Sequence, residues 1–369
     1  MRRIPLWVTL IPLAAGIAGW YHVWSGYADT LAADVARLQP GAAVGIAGFP
    51  YRLEATVERP RIGFDGPGLA AGAEAEKAVI NRQPWRPEHS VFNLTAPLAR
   101  VAIPALPLVQ ASIRAPAAQA SLHLVPGTAR PIIARLSIVW SDAQLTTTLL
   151  PVPVRAAAFE AHLRETPTTT PTNRGPTPPR QAQLVLSGTA VRLGEGAPLT
   201  LAANLDLTAN QPITSFTAWR ALGTAELTSL TLADKSGEIL SLTATAIPTQ
   251  LPSRSREGRL GDSRAGVGAS AASDTVSASP SPARGGGVSP SETEGVTTLR
   301  LAGTVTTVCP LSLRAAFAGL PAPSENRTRK PVTIALQSLL GEPPTLSPPP
   351  ESETKAPRRN QLPPCPRLR

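Results

Sequence analysis

Tyr51-Arg52-Leu53-Glu54-Ala55-Thr56-Val57-Glu58 alternates apolar and polar side chains residue by residue. Successive side chains of an extended chain point to opposite faces, so the pattern predicts an antiparallel strand with one face buried and the other wet. The same alternation recurs at Lys77–Asn81, Ser90–Leu94, Leu108–Arg114, Ala118–Leu124, Ile132–Trp140 and Ala143–Leu149. It returns at Gln183–Arg192, Leu199–Leu207, Ala225–Leu232, Ile239–Ala246 and Thr297–Thr307. Prolines and glycines separate these runs at short intervals, as an antiparallel all-β chain requires. The expected fold is mainly β, either a sandwich or an elongated curved sheet.

Upstream of the first strand the chain changes character. Met1-Arg2-Arg3 precedes an apolar run from Ile4 to Trp24, which as a helix would span ~31 Å, close to the hydrocarbon thickness of a bilayer. Trp20, Tyr21, His22, Trp24 and Tyr27 cluster at its far end, where an interfacial aromatic belt belongs. Arg2 and Arg3 place the N-terminus in the cytoplasm, and the bulk of the chain across the inner membrane in the periplasm. The alternative is a cleaved signal peptide, with small residues at Ala14 and Gly16 or at Gly26 and Ala28. Leu31, Val35 and Leu38 then carry helical spacing up to Pro40-Gly41.

The organisation expected is an anchor over 1–27, a first β block over 28–165 and a Pro/Thr linker over 166–180. A second β block follows over 181–250, with one short helix at Ile213–Leu222. Residues 251–295, poor in bulky apolar side chains, read as a disordered Ser/Gly/Pro insertion. The last strand and a short helix occupy 296–321. A Pro-rich basic tail fills 322–369, where Val332–Leu340 alone reads as ordered.

Composition narrows the function classes. Prolines number 41 among 369 residues and aromatics are only 4%, too sparse for the dense Val/Ile/Leu strands of a parallel α/β enzyme. The net charge of +10 is carried mainly by scattered arginines, with lysine only at Lys77, Lys235, Lys330 and Lys355. No zinc-finger spacing or aromatic stacking run accompanies them, so nucleic acid is not an expected partner. Phosphate-cradling, zincin and nucleophile-elbow motifs are absent from the sequence. His89, His123 and His162 show no paired spacing, so no metal, cofactor or catalytic residue is nominated.

Two short stretches stand out. Gly48-Phe49-Pro50-Tyr51-Arg52 reads as a strand start, with glycine permitting the turn and proline fixing φ. Pro84-Trp85-Arg86-Pro87 reads as a rigid loop whose Trp85 plugs a sheet edge. Their functional alternatives are a ligand-contacting turn and an exposed cation–π pair of Trp85 with Arg86 or Arg82. Cys309 and Cys365 could close a disulfide in an exported chain; the alternative is two free thiols.

With the anchor and Leu94, these two stretches resemble DUF2125, a family of uncharacterised bacterial membrane-anchored proteins. The resemblance is strongest over Ile4–Leu150 and continues weakly to about Pro310. It implies a location rather than an activity. The layout of one anchor followed by repeated amphipathic strands is also loosely similar to AsmA-like envelope proteins.

The expectation is a non-catalytic protein acting in lipid handling or envelope maintenance. Acyl chains would lie in an apolar groove lined by Leu53, Val57, Leu122, Leu124, Ile138, Leu184, Leu186, Leu205 and Leu207. One rival is an envelope scaffold recruiting other proteins, with those residues packed sheet on sheet. Another is a hydrolase with a cleft around His89 or His123.

Overall fold

Trp24, Ala28, Leu31 and Val35 recur at helical spacing and are all buried, so they draw one stripe along a helix. That helix, α1, runs without a break over Trp7–Leu38. The expected stripe therefore shifts: it begins at Trp24, and Leu38, at 68% exposed, is not part of it. The computed structural model describes residues 7–41, 44–66, 69–103, 110–128, 131–148, 150, 152–166, 179–209, 219, 223–250, 297–317, 320–321, 323–339, 345–346 and 362–368. The Ile213–Leu222 helix (apart from Trp219) and the 251–295 insertion fall outside these residues, as does most of the linker. Among the described residues no helix is long and apolar enough to cross a membrane. Residues 1–6, which begin the expected span, also fall outside them.

Past α1 the chain is an up-and-down antiparallel meander. The first strands are β1 (Gly45–Ala47), β2 (Leu53–Glu58), β3 (Arg61–Gly66), β4 (Leu69–Glu74), β5 (Lys77–Gln83) and β6 (Arg86–Thr95). Next come β7 (Leu98–Ala102), β8 (Gln110–Arg114), β9 (Ala117–Leu124), β10 (Ile133–Thr147) and β11 (Val154–Glu165). The later strands are β12 (Arg180–Leu193), β13 (Leu199–Ala209), β14 (Gly223–Asp234), β15 (Gly237–Gln250) and β16 (Thr297–Thr307). A helix, α2 (Pro310–Phe317), precedes β17 (Val332–Leu339) and β18 (Thr345–Leu346). The 18 strands of the described residues join one open sheet. Since β11 pairs with β12 in register from Val154↔Leu193 to Glu165↔Ala182, the two β blocks share that sheet. All described strands belong to this one sheet, and side chains on its middle strands such as Leu184, Leu186, Leu205 and Leu207 stay half-buried, where the core of a sandwich would bury them.

Several short strands are halves of longer, bent ones. β2 and β3 are joined through Arg59-Pro60, β6 and β7 through Ala96-Pro97, and β8 and β9 through Ala115-Pro116. Arg59, Ala96, Asp142 and Ala190 have φ of 50°, 48°, 50° and 50°, and they fall on alternate long strands. The ladder steps over the bend through Arg59 N–H to the Glu76 carbonyl (2.8 Å), Glu76 N–H to Thr95 (3.0 Å) and Ala96 N–H to Pro116 (2.8 Å). A bend of this kind re-aims side chains as a bulge does. Ile113, beyond the bend, thus joins Leu94, Ala118 and Trp140 in one cluster.

Both ends of one sheet face carry a helix. At the first strands α1 lays Trp24, Leu31 and Val35 on Leu53, Ala55, Val57 and Ile80. At the last strands α2 packs Leu313 against Leu240, Val305, Val332 and Ile334. Glu325 accepts hydrogen bonds from the Leu311 and Ser312 amides (3.1 and 2.8 Å), satisfying the open end of α2. Cys309 and Cys365 form a disulfide across a sequence separation of 56. Part of the expected tail is therefore ordered: Arg367 accepts from Ala197 N–H at 2.9 Å, and Leu368 is buried with Leu199 and Ile239.

Candidate functional site

Register across the strands shows what the alternation builds. One transverse row reads Leu122, Leu136, Leu163, Leu184, Leu205 and Leu227, one residue per strand from β9 to β14. The adjoining row runs Phe92, Ala120, Ile138, Ala161, Leu186, Ala203, Leu230, Leu242, Val305 and Ile334. A third carries Leu94, Ala118, Trp140, Phe159, Gly188, Leu201, Leu232 and Leu240. One face of the sheet thus carries an apolar row from β6 to β17, and is three apolar rows deep over β9–β14.

The nine residues expected to line a groove all point to this face, but they divide into two sets. Leu53 and Val57, at 1% and 2% exposed, are core under α1 and line nothing. Leu122, Leu124, Ile138, Leu184, Leu186, Leu205 and Leu207 are half-buried and belong to neither helix's core cluster. The open stretch lies between the helices, over β9–β14.

The Gly48–Arg52 stretch is a clamp on α1. Gly48 has φ +100°, and a Cβ there would lie 2.6 Å from Arg52 Cγ and 2.7 Å from its carbonyl oxygen, so a side chain cannot be accommodated. The turn closes through Arg52 N–H to the Gly48 carbonyl at 3.0 Å, with a cis Phe49–Pro50 bond inside it. Trp20 Nε1 donates to the Pro50 carbonyl (2.9 Å) and Trp24 Nε1 to the Arg52 carbonyl (3.1 Å). Phe49 meets Tyr21 and Trp24 edge-on, with centroids 5.4 and 5.6 Å apart. Trp20 and Trp24 therefore face the protein rather than an interfacial belt. Arg82 adds a second tie to the helix, bonding Asp34 and Ser90 at 3.0 Å each.

Pro84 and Trp85 do not plug an edge. Pro84 is fully buried, whereas Trp85 is 54% exposed at the tip of the β5–β6 turn, where no ring–cation contact is described. Long alternating strands, a helix clamped by Gly-Phe-Pro-Tyr-Arg and this Pro-Trp turn all fall within, or next to, residues 40–246. Those residues match the family model of an uncharacterised protein conserved in bacteria, DUF2125, over more than half of the chain. The chain belongs to DUF2125. No curated protein and no solved structure matches it.

The opposite face of this DUF2125 sheet is polar, and it brings together histidines that the sequence keeps apart. β6 and β9 place His89 directly opposite His123, and the rings stack with centroids 3.8 Å apart. His89 Nε2 bonds Ser121 Oγ at 3.1 Å. Burial first, then His123 and Arg86, hold His89 below the ordinary histidine range. Farther along, His162 Nδ1 meets Ser137 Oγ at 2.9 Å and its Nε2 lies 3.5 Å from Glu160. This Ser–His–Glu contact could relay a proton, but it lies on an open strand face. Ser137 Oγ is also bonded by Arg135 Nε at 3.2 Å, and Glu160 is bonded by Ser187 at 3.4 Å. Only cross-strand register, which no local spacing encodes, could have revealed either pair. A shallow trough of about 910 Å³ over β3, β4, β7, β8 and β10 includes Asp65, Arg100 and Ser112; its Arg100 is paired with Glu74 at 3.1 Å. Among the described residues no group of three His, Cys, Asp or Glu is arranged to hold a metal.

Proposed function

We propose that this DUF2125 protein is a single-pass, inner-membrane-anchored periplasmic protein that handles lipid by cradling acyl chains on the open apolar face of its sheet, without catalysing a reaction. The observation that carries the reading is the set of three apolar rows, whose leucines over β9–β14 are half-buried, with helix cover among the described residues at the two ends. A soluble protein rarely leaves so much contiguous apolar surface without an occupant. An acyl chain fits because it needs length and apolar contact but no polar recognition, and the rows supply both. Two features support the location. The first half of α1 exposes Val8, Leu10, Ile11, Leu13 and Ile17, each at 42% or more, as a helix does when its surroundings are lipid. The Cys309–Cys365 disulfide suits an oxidising compartment.

The test is photocrosslinking of the full chain, in vesicles, to a phospholipid bearing a diazirine on its acyl tail. Adducts are expected on the peptides carrying Leu122–Ile138 and Leu184–Leu207, with loss of the latter in Leu184→Gln/Leu205→Gln. Adducts confined to α1 would leave an anchor and remove lipid handling. The search would then turn to protein partners in the envelope.

A further inference from the structure

The end of the sheet from which α1 projects carries exposed aromatic residues. α1 runs alongside β2 in the same direction: Trp24 bonds the Arg52 carbonyl, and fifteen residues on, Gln39 accepts from Arg61 N–H at 2.8 Å. Residues before Trp20 must therefore project beyond the start of β2. Leu53 pairs with Arg82, and Gln83 with Arg86, so the Pro84-Trp85 turn stands level with Tyr51-Arg52 at that end. Tyr51 is 75% exposed, Trp85 54% and Phe49 40%. Arg52 is also largely exposed beside them, in a surface ion pair with Glu54.

We infer that Phe49, Tyr51 and Trp85 form a seat on the bilayer, at headgroup depth, around the base of α1. The occupant is the surface of the same membrane that receives the helix. Trp20 and Trp24, the residues placed to serve as the helix's own interfacial belt, are turned inward to hold the clamp. The role passes to aromatics on two turns that flank the helix base. Amphipathic rings favour the headgroup layer, with apolar bodies among the acyl chains and polar tips in water. The apolar projection of α1 continues directly into this patch, so one bilayer surface contacts both. The seat fixes how the sheet stands on the membrane, bringing its α1 end down to the lipid. The inference rests on the anchored reading above and names the surface that the anchor presses against.

The experiment places a nitroxide label at Trp85→Cys, Tyr51→Cys or Asp65→Cys in the full chain, with the native disulfide intact. Asp65 lies at the opposite end of the same bent strand, about 45 Å away along an extended chain. Each protein is incorporated into vesicles of phosphatidylcholine and phosphatidylglycerol in equal parts. Flotation is measured, followed by label accessibility to oxygen and to a water-soluble nickel chelate. The expected result is flotation of all three, with an oxygen-to-nickel ratio several-fold higher at 51 and 85 than at 65. Flotation with water-like ratios at 51 and 85 overturns the seat and leaves the anchor standing. A chain that stays in the aqueous fraction overturns both.

Discussion

The α1 end of the sheet and its middle are built from the same alternation and end as different materials. Leu53, Ala55 and Val57 lie under α1 at 2% exposed or less. Leu184 and Leu186, on the same face several strands away, stay half-buried. Strand patterning decides which face is apolar. Whether that face becomes core or open surface depends on a second element lying across it. The helical caps turn the two ends into core, and among the described residues the leucines between them stay half-buried.

Mutations can break this contrast at each place it depends on. The largest effect is expected at the α2 end, where Cys309→Ser/Cys365→Ser opens the disulfide loop. The loss should be about 4 kcal/mol by loop-closure entropy, read as a lowered urea midpoint. Next, Leu53→Ala should cost about 3 kcal/mol and Leu184→Ala roughly 1 kcal/mol, since only the first leaves a cavity in a closed core. Equal losses at the two sites would mean the middle is as closed as the capped end. Trp24→Phe keeps most of the packing but removes the bond to the Arg52 carbonyl. About 1 kcal/mol should go, with faster proteolysis of the Phe49–Arg52 turn. The smallest effect belongs to the polar face. With His89 held below its unfolded range, the unfolded chain binds more protons as pH falls past about 6.5. The fold should therefore lose stability as pH drops from that value toward the lower folded one. His89→Gln should flatten part of that slope in urea titrations at a series of pH values, whereas an unchanged slope would assign the acid sensitivity elsewhere.

Much of this fold was legible in the chain, and the gaps have physical reasons. Thr297–Thr307 was read to the residue because its Thr/Val/Leu alternation is both β-prone and amphipathic. β11, Val-Arg-Ala-Ala-Ala-Phe-Glu-Ala-His-Leu-Arg-Glu, was missed because alanine, glutamate and arginine favour helix locally. Its Phe159, Ala161 and Leu163 nonetheless fall on the apolar rows, and pairing on both sides overrides the propensity. β4, Leu-Ala-Ala-Gly-Ala-Glu, was missed because side chains that small carry almost no alternation. Ile132–Trp140 and Ala143–Leu149 were read as two strands where one, β10, continues through Asp142. The apolar residues of the sheet face were legible as a set. Their division into covered and open was not, since it depends on where α1 comes to rest. The stacked histidines were equally hidden, being 34 residues apart in sequence and joined only by register.

The meander also has a consequence for how such a molecule comes into being. Each long strand pairs with the one made just before it and offers its free edge to the one made just after. A chain delivered end first, from a ribosome or through a narrow pore, can therefore add strands in order of arrival onto a template already in place. Contacts close in sequence keep the search for partners short. Growth at a single moving edge leaves one unpaired strand at a time on the growing side, which limits the chance there of a stray chain joining the sheet.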